Sequence, residues 1–259
     1  MSFLSKKFSL KDLYLFFLNF YLLCLPLNAM SLGQWGSALK VIAIFLIGVA
    51  LISFNNFKLN SPEISQLIFI LFASASIIWS VSLNTSLNRA SSYFLLFTLL
   101  FSATMFKYTS EDLRKTKSAL VWSSRITAML VIAFGGYEEG RLTLIGLINE
   151  DPNYLCAYFA FGVIFAIETI TKKSTFKQKI WYIIELITYL LIIFFTGSRG
   201  GLLAIIAAII AFLMTYGEKN TKHIGKKLFL LAFLVFCMIA IVDYLPENIR
   251  MRFTLQDVI

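Results

Sequence analysis

The chain has 259 residues, of which 59% are hydrophobic and only 14% are charged, with a net charge of +9. A soluble domain carries about 25% charged residues and roughly 45–50% apolar ones, so this composition excludes a water-soluble globular protein. The positive charge does not indicate a nucleic-acid partner, because the basic residues lie in short segments between apolar runs, where they set membrane topology.

Nine apolar runs follow one another, each close to the length that a bilayer requires. A hydrocarbon core about 30 Å thick needs about 20 apolar residues per helix, with about 17 as the lower limit. The first run is interpreted as a retained span rather than a signal peptide, since it continues to Met30 and eight more follow. We therefore expect an all-α polytopic bundle forming a single domain, 1–259. The predicted spans lie near 12–30, 37–54, 64–82, 90–106, 118–135, 153–170, 180–196, 201–216 and 227–243.

The basic residues indicate which ends of the spans face the cytoplasm. With the N-terminus inside, 16 of the 23 lysines and arginines fall in inner segments and six in outer ones, while Arg125 lies within a span. This bias predicts a cytoplasmic N-terminus. The inner cations are mostly lysine, whereas five of the six outer cations are arginine. Arginine binds phosphate or carboxylate with a planar fork, so the outer face is where we expect an anion to bind.

The outer segment 136–152 joins spans five and six. It is half apolar, so we expect it to lie along the membrane interface or to dip in as a re-entrant piece. Asp151 followed by Pro152 is typical of a helix start, with Asp151 as the N-cap. A helix start does not account for Asn153, or for Arg141 in the apolar stretch upstream. These two residues are therefore candidates for function.

A second outer segment, Thr196-Gly197-Ser198-Arg199-Gly200-Gly201, predicts a tight turn between spans seven and eight. Its glycines allow a sharp turn and close approach of a ligand to the backbone. Ser198 is placed to cap the next helix, whose amides and positive dipole end then lie beside Arg199. Such a combination suits an anion. The alternative is a capped turn whose arginine reaches lipid headgroups, and the sequence leaves both open.

Three charges lie inside predicted spans: Arg125, Glu168 and Glu185. A lone charge at such a depth costs several kcal/mol, so we expect these side chains to pair. We interpret them as a structural charge cluster. In a transporter the same three residues would form a proton relay.

Cysteine and histidine give no sign of a disulfide or metal site. Cys24, Cys156 and Cys237 lie in separate apolar runs and are predicted to be small buried hydrophobic residues. The single histidine, His223, falls in a lysine-rich inner segment and is expected to be solvated. No cluster of ligands has metal spacing, and no glycine-rich loop follows a strand, so we expect no metal and no cofactor.

An arginine, then Asn149-Glu150-Asp151-Pro152-Asn153 opening one span, then Thr196-Gly197-Ser198-Arg199-Gly200-Gly201 opening another, resembles the O-antigen ligase and O-antigen polymerase superfamily. These enzymes build O-antigen, capsule and related bacterial surface polysaccharides. The resemblance covers the chain from span five to its end, and the first four spans match only in general character. It implies a fold similar to other membrane glycosyltransferases that use lipid-linked donors.

The resemblance also implies a reaction and roles for residues. A glycan on undecaprenyl diphosphate is transferred to a sugar hydroxyl of a glycan or glycolipid acceptor, without metal, at the outer face of the bacterial cytoplasmic membrane. Charge develops on the leaving diphosphate, which fixed arginines would stabilise. Arg199 would bind the diphosphate as a catalytic residue, and Arg141 would lie beside it or orient the acceptor. The implied substrate-binding residues are Ser198, Asn153, Gly200 and Arg89.

The chain departs from this family at its C-terminus. Family members usually continue with a large outer loop, which typically supplies a histidine proposed to assist the acceptor hydroxyl. Here the sequence stops about 16 residues after the ninth predicted span. We therefore expect a fragment or a truncated gene product, which puts catalysis by these residues alone in question. The alternatives are a membrane transporter or flippase and an inactive remnant. The sequence does not separate ligase from polymerase or name the sugar and acceptor.

Overall fold

The computed structural model describes residues 9–28, 37–52, 61–138, 140–144, 151–171 and 175–215. This part of the chain is mostly helical, with one short β-hairpin. Its elements are α1 (Leu10–Leu23), α2 (Ala38–Ile52), α3 (Ser61–Ala75), α4 (Leu83–Thr104), α5 (Ser110–Phe134), β1 (Gly135–Glu138), β2 (Arg141–Leu144), α6 (Pro152–Thr171), α7 (Phe176–Phe195) and α8 (Arg199–Thr215). Short 3₁₀ turns follow α1 at Leu25–Leu27 and α3 at Ser76–Trp79.

The helices have the lengths and compositions of an α-helical membrane protein. Within the described residues, α5, α6 and α7 are each long and apolar enough to cross a bilayer. Four shorter apolar helical stretches accompany them. They are Ala38–Ile52 in α2, Glu63–Trp79 in α3 and the 3₁₀ turn after it, Ala90–Thr104 in α4, and Arg199–Met214 in α8. The ninth predicted span, 227–243, lies outside the described residues, as do His223 and Cys237.

Two helices begin well before the spans predicted for them. Helix α4 starts at Leu83 rather than near residue 90, and α5 starts at Ser110 rather than near residue 118. In α5 the reason is local. Thr109 Oγ1 accepts a hydrogen bond from Asp112 N (3.2 Å) and Asp112 Oδ2 accepts one from Thr109 N (2.8 Å). Such reciprocal capping satisfies two free amides. Hydropathy locates only the apolar part of a helix, so the polar first turns of α5 lie outside the predicted span.

The segment between α5 and α6 contains two strands, which the sequence analysis did not predict. Strands β1 and β2 pair antiparallel, with Gly135 opposite Leu144 and Glu138 opposite Arg141. Gly140 lies in the turn with a φ of 73°, a backbone conformation that favours glycine. Leu144 is fully buried, and β2 packs against α6 and α7. The hairpin therefore fixes this part of the segment against the helices; residues 145–150 lie outside the described part.

The chain divides into two compact units: Met1–Leu22 with Leu32–Ala119, and Leu23–Ser31 with Leu120–Ile259. In the first unit, α4 packs against α2 and α3. Tyr14 of α1 is completely buried there, its ring 4.5 Å from that of Phe106 and its hydroxyl 3.0 Å from Ser102 Oγ. Lys11 Nζ also lies 2.6 Å from Asp112 Oδ2, which ties α1 to the start of α5.

In the second unit, α6 is the helix around which the others pack. It contacts α7 and α8 extensively, and its face carrying Leu155, Phe159 and Val163 is completely buried. Gly162 lies where α6 meets α5 and α7, and a Cβ there would stand 2.7 Å from Ser124 Cβ and 2.8 Å from a ring carbon of Tyr189. Glycine is therefore required at position 162 for the helices to approach this closely. Small residues at such contacts are common in membrane bundles.

Replacing Gly162 by alanine should destabilise the second unit. The added methyl group would overlap two neighbours at less than van der Waals distance, and overpacking costs about 1–3 kcal/mol. We expect a lower midpoint of thermal unfolding for the detergent-purified protein. Gly48→Ala in α2 is the control, since nothing lies within 4 Å of a Cβ at that position. Equal midpoints for Gly162→Ala and the wild type would contradict the packing argument.

Candidate functional site

Helix α6 begins with the cap that its sequence predicts. Asp151 Oδ1 accepts a hydrogen bond from Asn153 N at 2.7 Å, and the Asp151 carbonyl accepts one from Leu155 N at 3.0 Å. Pro152 occupies the first helical position, where its missing N–H costs nothing. The cap uses the backbone of Asn153 and leaves its side chain, on an exposed residue, available for other contacts.

The turn between α7 and α8 is short and buried. Gly197 has a φ of 60°, which permits the sharp reversal, while Thr196 and Ser198 on either side are 0% and 2% exposed. Ser198 Oγ accepts a hydrogen bond from Gly201 N at 2.9 Å, so Ser198 caps α8. Gly197 is thus the turn glycine. Gly200 and Gly201, which the sequence analysis also assigned to the turn, lie in the first turn of α8.

Three of the predicted site residues are brought together, although they are far apart in the chain. Ser198 Oγ donates to Asn153 Oδ1 at 2.5 Å, which joins the starts of α6 and α8 across 45 residues. Arg141 Nε donates to the Thr196 carbonyl at 3.1 Å, which joins β2 to the α7–α8 turn across 55 residues. We refer to Arg141, Asn153, Thr196 and Ser198 as the turn cluster. The two motifs of the sequence therefore form one piece of structure.

Close packing between α6 and α8 supports the turn cluster. Cys156 lies one turn beyond Asn153 on α6 and is completely buried. Its Sγ is 3.1 Å from Thr196 Oγ1. A Cβ at Gly201 would stand 2.5 Å from Cys156 Cβ and 2.7 Å from its sulfur, whereas a Cβ at Gly200 would meet nothing within 4 Å. Gly201 is therefore needed for packing, and Gly200 has no packing reason to be glycine.

The turn cluster includes hydrogen-bond donors that its internal contacts leave available. The Asn153 Oδ1 atom accepts from Ser198, so its amide NH₂ group is left to donate elsewhere. Ser198 uses its single hydroxyl proton on Asn153, so it orients that amide. Arg141 donates from Nε to the Thr196 carbonyl. Its two terminal nitrogens form the fork that suits an oxyanion. Nearby carboxylates are Glu138, opposite Arg141 in the hairpin, and Asp151, whose Oδ1 is engaged in the α6 cap.

The other two arginines of the predicted site are placed as follows. Arg199 is the first residue of α8 and is exposed, beside the first-turn amides of that helix. Arg89 lies inside α4, in the first unit, and its side chain is outside the described part of the structure.

The charges inside the predicted spans also pair, at a separate place in the second unit. Arg125 Nε and a terminal nitrogen both lie 2.9 Å from Glu185 Oε1, across 60 residues of chain. The side chains are 20% and 10% exposed. The Arg125 guanidinium also lies 5.0 Å from the Trp122 ring centroid. Glu168, the third residue of the predicted cluster, is half-buried on α6. The pair thus connects the middle of α5 to the middle of α7.

An open groove of about 270 Å³ runs beside this ion pair between α5 and α7. Its walls are almost entirely apolar and include Trp122, Trp181 and Ile132, with Arg125 and Glu185 at one side. Groups of histidine, cysteine and acidic residues able to hold a metal are absent from the described residues. Because its walls are apolar and it is open, the groove has the character of a lipid-facing surface between helices.

Sequence reasoning missed two members of this site. Thr196 was part of the motif but received no role, and Cys156 was interpreted only as a buried hydrophobic residue. Cys156 follows Asn153 by three residues on a helix, so both lie on one face. That spacing was a usable signal. The pairing of Cys156 with Thr196 was not readable, since it depends on how α6 and α7 pack.

Comparison of the chain with protein-family models, with curated proteins and with solved structures finds no match. The family that the two sequence motifs suggest therefore stays a prediction.

Breaking the mid-helix ion pair should destabilise the protein. Arg125→Leu leaves Glu185 without its partner in a low-dielectric site, at a cost of about 3 kcal/mol. We expect reduced abundance in the membrane and a lower thermal midpoint. The double variant Arg125→Leu/Glu185→Leu removes both charges and should recover most of the loss. If the double variant were as unstable as the single one, the unpaired Glu185 carboxylate would not be the cause of the lost stability.

Replacing Gly201 by alanine should loosen the contact between α6 and α8. The new methyl group would collide with Cys156, at a cost of about 1–3 kcal/mol. Gly200→Ala is a matched control one residue away in the same helix turn, and it should leave the thermal midpoint unchanged or raise it. Equal effects of the two substitutions on the midpoint would show that the packing described here does not hold.

Proposed function

We propose that this protein is a metal-independent glycosyltransferase of the O-antigen ligase or polymerase type. It transfers a glycan from undecaprenyl diphosphate to a sugar hydroxyl at the outer face of the bacterial cytoplasmic membrane. In this proposal the chain crosses the membrane nine times, with its N-terminus in the cytoplasm. The observation that carries the proposal is the Ser198–Asn153 hydrogen bond, because it unites the two motifs that resemble this family.

The donors of the turn cluster, together with Arg199 and the first amides of α8, suit the leaving group of such a reaction. The acceptor oxygen bonds to the anomeric carbon as the bond from that carbon to the diphosphate breaks, and the hydroxyl proton passes to a base. Negative charge then grows on the diphosphate oxygens, where preorganised donors lower the barrier. Arg199 and the first-turn amides of α8 would face these oxygens. Gly200 would allow them to approach the backbone closely, which accounts for a glycine that packing does not require.

The proposed roles of the remaining residues follow from their contacts. Arg141 is tied to the turn through Nε, so its terminal nitrogens would share the diphosphate with Arg199 or orient the acceptor. Asn153 would donate its amide, held in place by Ser198. Arg89 remains a candidate through the family resemblance alone.

A transporter is less favoured by the charges that would serve it. A relay needs groups that exchange protons, whereas Arg125 already binds Glu185 through two nitrogens. The pair is therefore better suited to joining helices than to moving protons.

The first test of the proposal is complementation in cells. Deletion of the gene should remove long surface glycans or leave them on the lipid carrier, as seen on a gel of surface glycans. Loss of chain length would indicate a polymerase, and glycan stranded on the carrier would indicate a ligase. A glycan profile that does not change on deletion would overturn the proposal.

Arg199→Ala should abolish complementation while the protein still inserts in the membrane. Loss of one preorganised donor to the developing charge costs about 100-fold or more in rate. Arg199→Lys keeps the charge without the fork and should restore only part of the activity. Arg114→Ala, an exposed arginine in the first turns of α5, is the control and should complement fully. Full complementation by Arg199→Ala, with equal abundance on an immunoblot, would remove Arg199 from the mechanism.

A further inference from the structure

Thr196 is the residue at which the elements of the turn cluster meet. Its side chain and backbone are completely buried. The carbonyl accepts from Arg141 Nε at 3.1 Å. The hydroxyl donates to the Ile193 carbonyl at 2.6 Å, accepts from Ser198 N at 3.3 Å, and lies 3.1 Å from Cys156 Sγ. One residue thus contacts β2, α6, the end of α7 and the backbone that leads into α8.

The hydroxyl determines where the Thr196 carbonyl points. Gly197, the next residue, has a φ of 60° and adds little stiffness, because glycine tolerates many conformations. The hydroxyl bridges this residue by accepting from Ser198 N on its far side. Its contact with Cys156 fixes the same turn to α6. The Thr196 hydroxyl adds these contacts to the backbone hydrogen bonds of the turn, which run from Thr196 N to the Ile192 carbonyl at 3.0 Å and from Gly197 N to the Phe194 carbonyl at 2.9 Å.

We propose that Thr196 is a positioning residue, whose hydroxyl fixes the α7–α8 turn so that the Thr196 carbonyl keeps Arg141 in a set geometry. This inference depends on the proposed transferase function. Thr196 touches no reacting atom; it acts through Arg141, whose Nε hydrogen bond it accepts. Cys156 is the partner that transmits the position of α6 to this turn.

The test uses two substitutions that differ in the hydroxyl. Thr196→Val keeps the shape and removes the hydroxyl, whereas Thr196→Ser keeps the hydroxyl and removes the methyl group. We expect Thr196→Val to lower kcat by about 10-fold to 100-fold, since small misplacements of positioning groups have effects of this size. We expect Thr196→Ser to remain close to the wild type. Transfer is measured on the full-length protein in membranes, with undecaprenyl-diphosphate-linked glycan from the same cells, and rates are normalised to folded protein.

A double-variant cycle separates positioning from a general loss of structure. If Thr196 acts through Arg141, then Arg141→Ala/Thr196→Val should be no slower than Arg141→Ala alone. Losses that multiply, or a Thr196→Val variant with wild-type kcat, would overturn the inference. Cys156→Ala serves if Thr196→Val fails to fold; it should lower kcat in the same direction, and an unchanged kcat would overturn the inference too.

The outcome for the wild type distinguishes the two proposals. A wild-type protein that transfers glycan, together with an unaffected Thr196→Val variant, removes the role of Thr196 and leaves the proposed function standing. A wild-type full-length protein that transfers no glycan overturns the proposed function, and the role of Thr196 falls with it.

Discussion

The close approach of α6 to its neighbours is the constraint on which the second unit depends. Gly162 permits contact with α5 and α7, and Gly201 permits contact between α8 and α6 at Cys156. Apolar side chains gain little from meeting each other in lipid, so association there depends on tight packing and hydrogen bonds between helices. If these two contacts opened, Asn153 and Ser198 would separate. The geometry of the candidate site is therefore a consequence of helix packing.

Polar groups inside this unit are used to join elements. The Arg125–Glu185 pair links α5 to α7, Ser124 Oγ donates to the Tyr158 carbonyl at 2.8 Å, and Thr196 joins the turn to its surroundings. Each such group would be costly in a bilayer without a partner. The same requirement that makes these residues structural also gives the turn cluster its fixed orientation. Stability and preorganisation thus have a common origin in this unit.

The site has an asymmetry that bears on its chemistry. Ser198 and Thr196 are buried and engaged in hydrogen bonds, whereas Arg199, Asn153 and Gly200 are exposed. The buried residues hold the turn, and the exposed ones lie at the surface beside it. Such a division is typical of sites in which a rigid support positions a few polar contacts.

The sequence by itself determined the membrane-protein class, the approximate helices, and the caps at Asp151 and Ser198, because these depend on composition and on neighbours within a few residues. It pointed to the apolar parts of α4 and α5 but not to the polar residues by which both helices begin earlier. Only the tertiary structure decided the hairpin and the contacts of Arg141 with Thr196 and of Ser198 with Asn153. The sequence predicted that Arg125 pairs inside the spans, and the structure decided that its partner is Glu185. These contacts span 55, 45 and 60 residues. Their physical reason is interhelical packing, which hydropathy does not encode when both faces of a helix are apolar.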